Sequence, residues 1–490
     1  MMLFFRAFFV FLRLNQIFDS MEKGNDRGSF GSKLGVILAT AGSAVGLGNV
    51  WRFPYMAGEN GGAAFILIYL ICVLLLGIPC MVSEFIIGRR GGTNASRVFA
   101  KVAQQSGRKS LFGARILPKF IGYMGILTGF LIISYYAVVS GWCLQYIYAS
   151  AAGELSGDVN YITKYFEEFS VSPLMPVVWT VVILILSHLI ICRGVRGGIE
   201  KAAKLMMPLL FILLLMLVGA SCLLPGASKG IAFLLKPDFS SIDGSVFLGA
   251  LGQAFFSLSI GMGALSTYAS YFSRKTNLMS SAVQISLVDS LVAILASLMI
   301  FPAAFSVGVS PGSGPSLVFI TLPNVFSQAF ASMPAVGWAV ALLFYVLLSL
   351  AALTSLMSLH EVLTAFCVEE LHVSRNRGTL MVTVLACIVG AFCSLSLGGG
   401  RESFSIAGQS LFDAFDFVTG QIFLPVGGFL TCLFLGWGVS KRLVREEFFT
   451  GYTPLRAATG ELVFNIFLFL IRVVCPIAIA AIFLHQFGVI

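Results

Sequence analysis

Long apolar runs alternate with short polar connections along almost the whole chain. Runs of membrane-crossing length lie at 34–55, 61–87, 118–150, 173–192, 205–224, 246–271, 279–307, 335–367, 379–397, 409–437 and 463–488. About 20 apolar residues cross a bilayer as a helix, so the pattern predicts eleven helical spans. The stretch 310–334, SPGSGPSLVFITLPNVFSQAFASMP, carries no charge and is too apolar for a free loop. It is predicted to fold back onto the outer side as a short helical hairpin.

Two of the runs are built to come apart. In LGVILATAGSAVGLGNVWRFPY, residues 34–55, Gly42, Gly46 and Gly48 sit among small or weakly helical neighbours, and each costs roughly 1 kcal/mol of helix propensity relative to Ala. An opened backbone at membrane depth is tolerated only where protein or a cavity covers it, and its free carbonyls suit a cation. Gly42 and Gly46 equally fit the small-xxx-small pattern that lets helices pack closely, so spacing alone leaves both readings open. Asn49 and Arg52 place an amide and a full charge in the same run, and intramembrane polar groups are functional candidates. The sixth run is interrupted in the same manner by Gly261 and Gly263. Two interrupted helices at corresponding places of two halves point to a transporter site.

Composition excludes a soluble globule. The chain is 58% hydrophobic and 11% charged, with a mean hydropathy of +0.94, against about 25% charged in soluble domains. The net charge of +9 does not indicate nucleic acid, because it is distributed by loop parity. Of 31 Lys and Arg, 25 lie in the N-terminal segment and the loops on its side, which puts the N-terminus in the cytoplasm and, with eleven spans, the C-terminus outside. The ten cysteines lie mostly within apolar runs without CxxC spacing; they read as packing residues, with no disulfide framework or metal site implied. The four histidines share no motif. Residues 1–20 form a basic, apolar run too short to span, read as an upstream-start extension before Met21 or as an interfacial segment.

Two further features carry chemistry. Thr354 and Ser355 offer adjacent hydroxyls in the eighth run, either to a cation or back to the preceding helical turn. Asp289 in the seventh run costs at least a few kcal/mol unless paired. No nucleophile elbow, HExxH or P-loop is present, so an enzyme is disfavoured.

The string GSAVGLGNVWRFP resembles the first-helix signature of the neurotransmitter:sodium symporter family, and matching segments run from Arg27 to about Pro476. The resemblance implies an all-α polytopic membrane protein of the leucine-transporter type, with two inverted five-helix repeats plus an eleventh helix, where twelve spans are commoner in the family. The organisation is then 1–33 cytoplasmic, 34–224 first repeat, 225–440 second repeat with the outer hairpin, and 441–490 cytoplasmic loop and last span. The implied function is sodium-coupled symport of a small neutral, hydrophobic or aromatic amino acid by alternating access in a bacterial inner membrane, with two sodium sites expected. Proton coupling through Asp289 is the alternative, and an ion channel a more distant one.

Carried over residue by residue, one sodium site comprises the carbonyls of Gly42, Val45 and Ala351 with the hydroxyls of Thr354 and Ser355. The other comprises the carbonyl of Ala44, Asn49, Ser257, Asp289 and the substrate carboxylate. Substrate falls to Ser43, Ala44, Leu47 and Gly48 around the break, Tyr136 on its carboxylate, Phe256 as a lid, and Ile132, Ser257, Ser259, Met262, Ser355 and Leu359 as walls. Gly46, where monoamine transporters of the family have Asp, implies a substrate that brings its own carboxylate. Chloride-dependent members bind the anion with residues matching Tyr69, Gln253, Ser257 and Asp289 and with a Ser matching Ala293. Asp289 here implies a built-in negative charge and no need for chloride. The gates implied are Arg52 with Asp416 outside, Asp413 being a nearby competitor, and Arg27 with Glu369 and Tyr271 inside.

Overall fold

The glycine-interrupted first run folds as two helices. In the computed structural model, which describes residues 28–107, 116–155, 159–239, 242, 244–308, 318–398, 404–406, 408–452 and 457–486, α1 (Lys33–Ala44) and α2 (Gly48–Glu59) meet at an angle of 55°. Val45 turns extended with ψ 105°, and α2 opens on one wide turn in which the Phe53 amide bonds the Gly48 carbonyl.

The chain continues through α3 (Ala63–Gly91), α4 (Ala95–Ser106), α5 (Ile116–Ala152), α6 (Val159–Ser170), α7 (Met175–Ile191), α8 (Val195–Cys222) and α9 (Ala227–Leu235). Next come α10 (Gly244–Ser257), α11 (Ala264–Ala269), α12 (Leu278–Ser306), α13 (Thr321–Ala329), α14 (Pro334–Glu370) and α15 (Arg375–Leu395). A two-stranded antiparallel ribbon, β1 (Ser405–Ile406) and β2 (Gln409–Ser410), precedes α16 (Leu411–Gly438), α17 (Lys441–Phe449) and α18 (Thr459–His485). Eight of these helices are long and apolar enough to cross a membrane. The broken pair α1/α2, the 17-residue α7 and the interrupted pair α10/α11 account for the other three predicted runs.

The second break also falls where its glycines lie. Between α10 and α11 the chain takes left-handed φ at Ser259 (+57°), Gly261 (+89°) and Gly263 (+75°). A Cβ on Gly261 would stand 2.5 Å from the Leu424 carbonyl oxygen, so the turn packs against α16 in a way only glycine allows.

Some boundaries depart from the hydropathy reading. Helix α8 begins ten residues before the predicted 205, because Arg196, Lys201 and Lys204 interrupt the apolar pattern without ending the helix. The ninth span likewise opens at Arg375, ahead of 379. The amphipathic helices α4, α6, α9 and α17 are too short or too polar to register as spans. Of the predicted hairpin 310–334, the second arm is α13; Tyr146 and Tyr345 hydroxyls donate to the carbonyls of Phe319 and Val318 at 2.9 Å and fasten its approach. The first arm lies outside the described residues.

Packing falls into two groups of helices. The long α5 and α14 pack on each other and on α7 and α15, while α3 and α12 contact the broken helices, with α8 contacting α1, α12 and α14. The breaks of α1/α2 and α10/α11 lie between these groups, which fixes where the opened backbone can be met by side chains.

Candidate functional site

The site grows out of the unwound residues Val45–Leu47. Thr354, in the middle of α14, donates its hydroxyl to the Ala351 carbonyl at 2.9 Å and lies 3.3 Å from the Val45 carbonyl; Ser355 is 3.3 Å from the same carbonyl and 3.4 Å from that of Ser43. Thus Thr354 both bonds back one turn and faces the break, whereas Ser355 reaches across. Gly42 lies against Thr354, its Cβ position 3.3 Å from the Thr354 Cβ. The five residues of the first predicted sodium site are therefore neighbours.

The second group is centred on Asp289 of α12, fully buried. Its carboxylate accepts from Asn49 Nδ2 at 2.7 Å, from the Tyr69 hydroxyl at 3.0 Å and from the Ser257 hydroxyl at 2.9 Å. Asn49 Nδ2 also reaches the Ser257 oxygen and the Asp289 carbonyl, while its Oδ1 accepts from the Gly46 amide at 2.9 Å. Ala44 ends α1 beside them, buried. Gln253 Nε2 donates to the Gly48 carbonyl at 3.0 Å, and its Oε1 has no partner. A buried carboxylate is tolerated when donors surround it, and here three residues, Asn49, Tyr69 and Ser257, supply them.

Further side chains meet the break next to both groups. Tyr136 accepts from the Leu47 amide at 3.1 Å, and Ser259 donates to the Ser43 carbonyl at 2.9 Å. A Cβ on Gly46 would collide with the Ser355 hydroxyl and approach the Tyr136 hydroxyl to 2.9 Å; one on Gly48 would stand 3.0 Å from the Phe256 ring. Ile132, Met262 and Leu359 are buried. The Ser43 hydroxyl is buried without a partner. Above Phe256, a cavity of about 240 Å³ is lined by Arg52, Phe256, Gln421, Leu424 and Ile479.

Among the described residues no ion pair joins Arg52 to Asp416; the Arg52 guanidinium instead lies over the Phe256 ring, 4.8 Å from its centroid, and the Asp413 carboxylate accepts from Ser410, which caps α16 by accepting from the Asp413 amide. Arg27 lies outside the described residues. Glu369 accepts from the Thr93 hydroxyl and from the Asn94 amide and side chain at 2.7–3.1 Å, holding the start of α4. Tyr271 donates to Glu361 at 2.7 Å, not to Glu369. Glu361 and Arg375, 2.5 Å apart, and Glu84, which accepts from the Gly261 amide at 2.7 Å in the second break, were not singled out from the sequence. The signal available was a carboxylate inside an apolar run.

The model of the sodium:neurotransmitter symporter family matches residues 27–170 and 160–488. The chain belongs to the sodium:neurotransmitter symporter family. A Bacillus subtilis relative named sodium-dependent transporter YhdH is 38% identical over 462 residues, 94% of this chain and 97% of the relative. A sodium-dependent transporter of Haemophilus influenzae is 34% identical over 465 residues, 94% of this chain and 98% of its own length. The solved structure of MhsT in complex with L-phenylalanine superposes with a TM-score of 0.81 at 40% identity, covering 94% of this chain and 99% of MhsT. The fold is accordingly the leucine-transporter type with its inverted repeats, and this is an integral membrane protein of a family of sodium-dependent transporters.

Proposed function

We propose that this protein is a sodium-coupled symporter of a neutral, hydrophobic or aromatic amino acid, working without chloride. The observation that carries the reading is the convergence of the Val45 carbonyl with the Thr354 and Ser355 hydroxyls, beside the Asn49–Ser257–Asp289 cluster. A hard monovalent cation needs oxygens released from helix hydrogen bonding, and these two places release them. One sodium ion takes Gly42, Val45, Ala351, Thr354 and Ser355; a second takes Ala44, Asn49, Ser257 and Asp289 together with the substrate carboxylate.

The substrate carboxylate meets the α2 end of the break near Gly46 and Tyr136, where the helix dipole favours negative charge. Small hydroxyls at Ser259 and Ser355 and the adaptable Met262 suit a large apolar side chain, and the L-phenylalanine bound by MhsT agrees with that class. Asp289 supplies the negative charge that would otherwise come from an anion. Repeats 34–224 and 225–440 rock about this site, with the N-terminus in the cytoplasm and the C-terminus outside. The outer gate is Arg52 above Phe256, closing toward Asp416 when substrate binds; Arg27, Glu369 and Tyr271 serve the inner face.

Binding of a panel of amino acids to purified protein, with sodium and with sodium replaced by potassium or by a proton gradient, tests the reading. Sodium-dependent, saturable binding of hydrophobic amino acids is expected. Binding that follows pH and ignores sodium would replace it with proton coupling.

A further inference from the structure

Three of the ten free cysteines meet in one place. Cys80 of α3, Cys432 of α16 and Cys475 of α18 are buried, and their sulfurs all lie within 4.8 Å of one another, with Cys80 and Cys432 Sγ 3.3 Å apart. Among the described residues this is the one group of three histidine, cysteine or carboxylate side chains whose ligand atoms converge so closely. None of the three belongs to the sodium or substrate groups described above.

We infer that Cys80, Cys432 and Cys475 form a trigonal all-sulfur site for a soft monovalent metal ion of the Cu(I) or Ag(I) class. Three sulfurs at a metal–sulfur distance of about 2.3 Å in a plane stand about 4.0 Å from one another, so the cluster is near the needed size and the Cys80–Cys432 pair has only to part slightly. The donor set selects the metal. Zn(II) wants four ligands, and among the described residues no histidine or carboxylate places a ligand atom within 4.8 Å of all three sulfurs, Glu84 one turn along α3 included; thiol sulfur without oxygen favours soft Cu(I) over hard sodium or magnesium. Charge selects it again. When one thiol gives up its proton as the metal–sulfur bond forms, M⁺ enters and H⁺ leaves, so the membrane interior gains no net charge; the two remaining thiols donate lone pairs. A divalent ion bound in that way would leave an uncompensated charge in an apolar setting.

The placement gives the site a consequence. Helix α3 also carries Tyr69, bonded to Asp289, and Glu84, bonded to the Gly261 amide, so a metal on Cys80 ties the helix that braces both breaks to α16 and α18.

The test loads reduced, purified full-length protein with Cu(I) under anaerobic conditions, washes it with a competing chelator, and measures copper per chain and the X-ray absorption spectrum. One retained copper with three sulfurs at about 2.3 Å is expected in the wild type. Cys475→Ser should drop the sulfur number to two or lower retention at least tenfold, while Cys367→Ser, a buried cysteine elsewhere, leaves both unchanged. Loss of all copper to the chelator, a nitrogen or oxygen ligand in the wild-type spectrum, retention indifferent to Cys475→Ser, or preferential retention of Zn(II) would each overturn the assignment. The wild-type spectrum decides the matter even if a variant fails to fold.

Discussion

Asn49 Nδ2 lies 2.7 Å from Asp289 Oδ1 although 240 residues separate them. The contact joins the first broken helix to the middle of α12 and passes through Ser257 at the end of the other broken helix. One carboxylate thereby fixes the relative position of both opened backbones, and its charge is the only negative charge in that group.

Asp289→Asn should keep the shape and remove the charge. A hydrogen bond to a charged group contributes about 1.5–3 kcal/mol, and each 1.4 kcal/mol is about tenfold in affinity. The variant is expected to need at least tenfold more sodium for half-maximal amino-acid binding, measured by sodium titration. Replacing chloride with gluconate should leave the wild type unchanged; a wild type that loses binding in gluconate would show that Asp289 does not do the anion's work.

Gly46→Ala probes the space at the first break. Its methyl would overlap the Ser355 hydroxyl and crowd the Tyr136 hydroxyl, both of which are held in the interior of long helices. Overpacking of this kind costs about 1–3 kcal/mol. The expected outcome is a protein that still purifies and folds but binds its amino acid at least tenfold more weakly, by equilibrium binding. Wild-type affinity in Gly46→Ala would mean that the ligand lies elsewhere.

The weak points of the first and sixth runs were legible in the residues alone, for a physical reason, whereas the ligand residues came only with the family resemblance. Glycines at 42, 46, 48, 261 and 263 weaken helices within apolar runs, and both breaks fall among them. Carboxylates in apolar runs announce themselves by cost but do not say what they bond: the partner of Glu84 is the amide of Gly261, 177 residues away. Arg52 faced two acidic candidates in sequence, and the structure pairs it with neither, placing it on an aromatic ring instead. Helix α8 started earlier than hydropathy indicated because Lys201 and Lys204 lie in its first turns. Cys80, Cys432 and Cys475 share no spacing motif, since three different helices bring them together.

Thr354→Ala removes a hydroxyl that faces the Val45 carbonyl while leaving the helix intact, as Ala is the best helix former. Sodium affinity should fall about tenfold, consistent with one lost ligand worth roughly 1–1.5 kcal/mol, and amino-acid binding at fixed sodium should weaken with it by linkage. Thr354→Ser, which keeps the oxygen, should restore most of both. Equal loss in the Ala and Ser variants would indicate that the methyl group, packed against Gly42, matters and the oxygen does not.

Glu361 is fully buried; Arg375 donates to both of its oxygens, at 2.5 Å and 3.2 Å, and the Tyr271 hydroxyl donates to one of them at 2.7 Å. Arg375 also donates to the Ile191 carbonyl at 2.9 Å, so one cluster ties α14 and α15 to the end of α7 and to the segment that follows α11. Removing one partner of a buried pair is far more damaging than removing both, because the survivor keeps its desolvation cost without compensation; the loss is about 3–5 kcal/mol. Arg375→Gln should therefore lower the melting temperature of purified protein clearly. Adding Glu361→Gln to it should recover part of the loss, since the double variant holds no charge in that place. A double variant less stable than Arg375→Gln would mean that Glu361 is stabilised by neighbours other than Arg375, and Tyr271→Phe would then be the more destabilising single change.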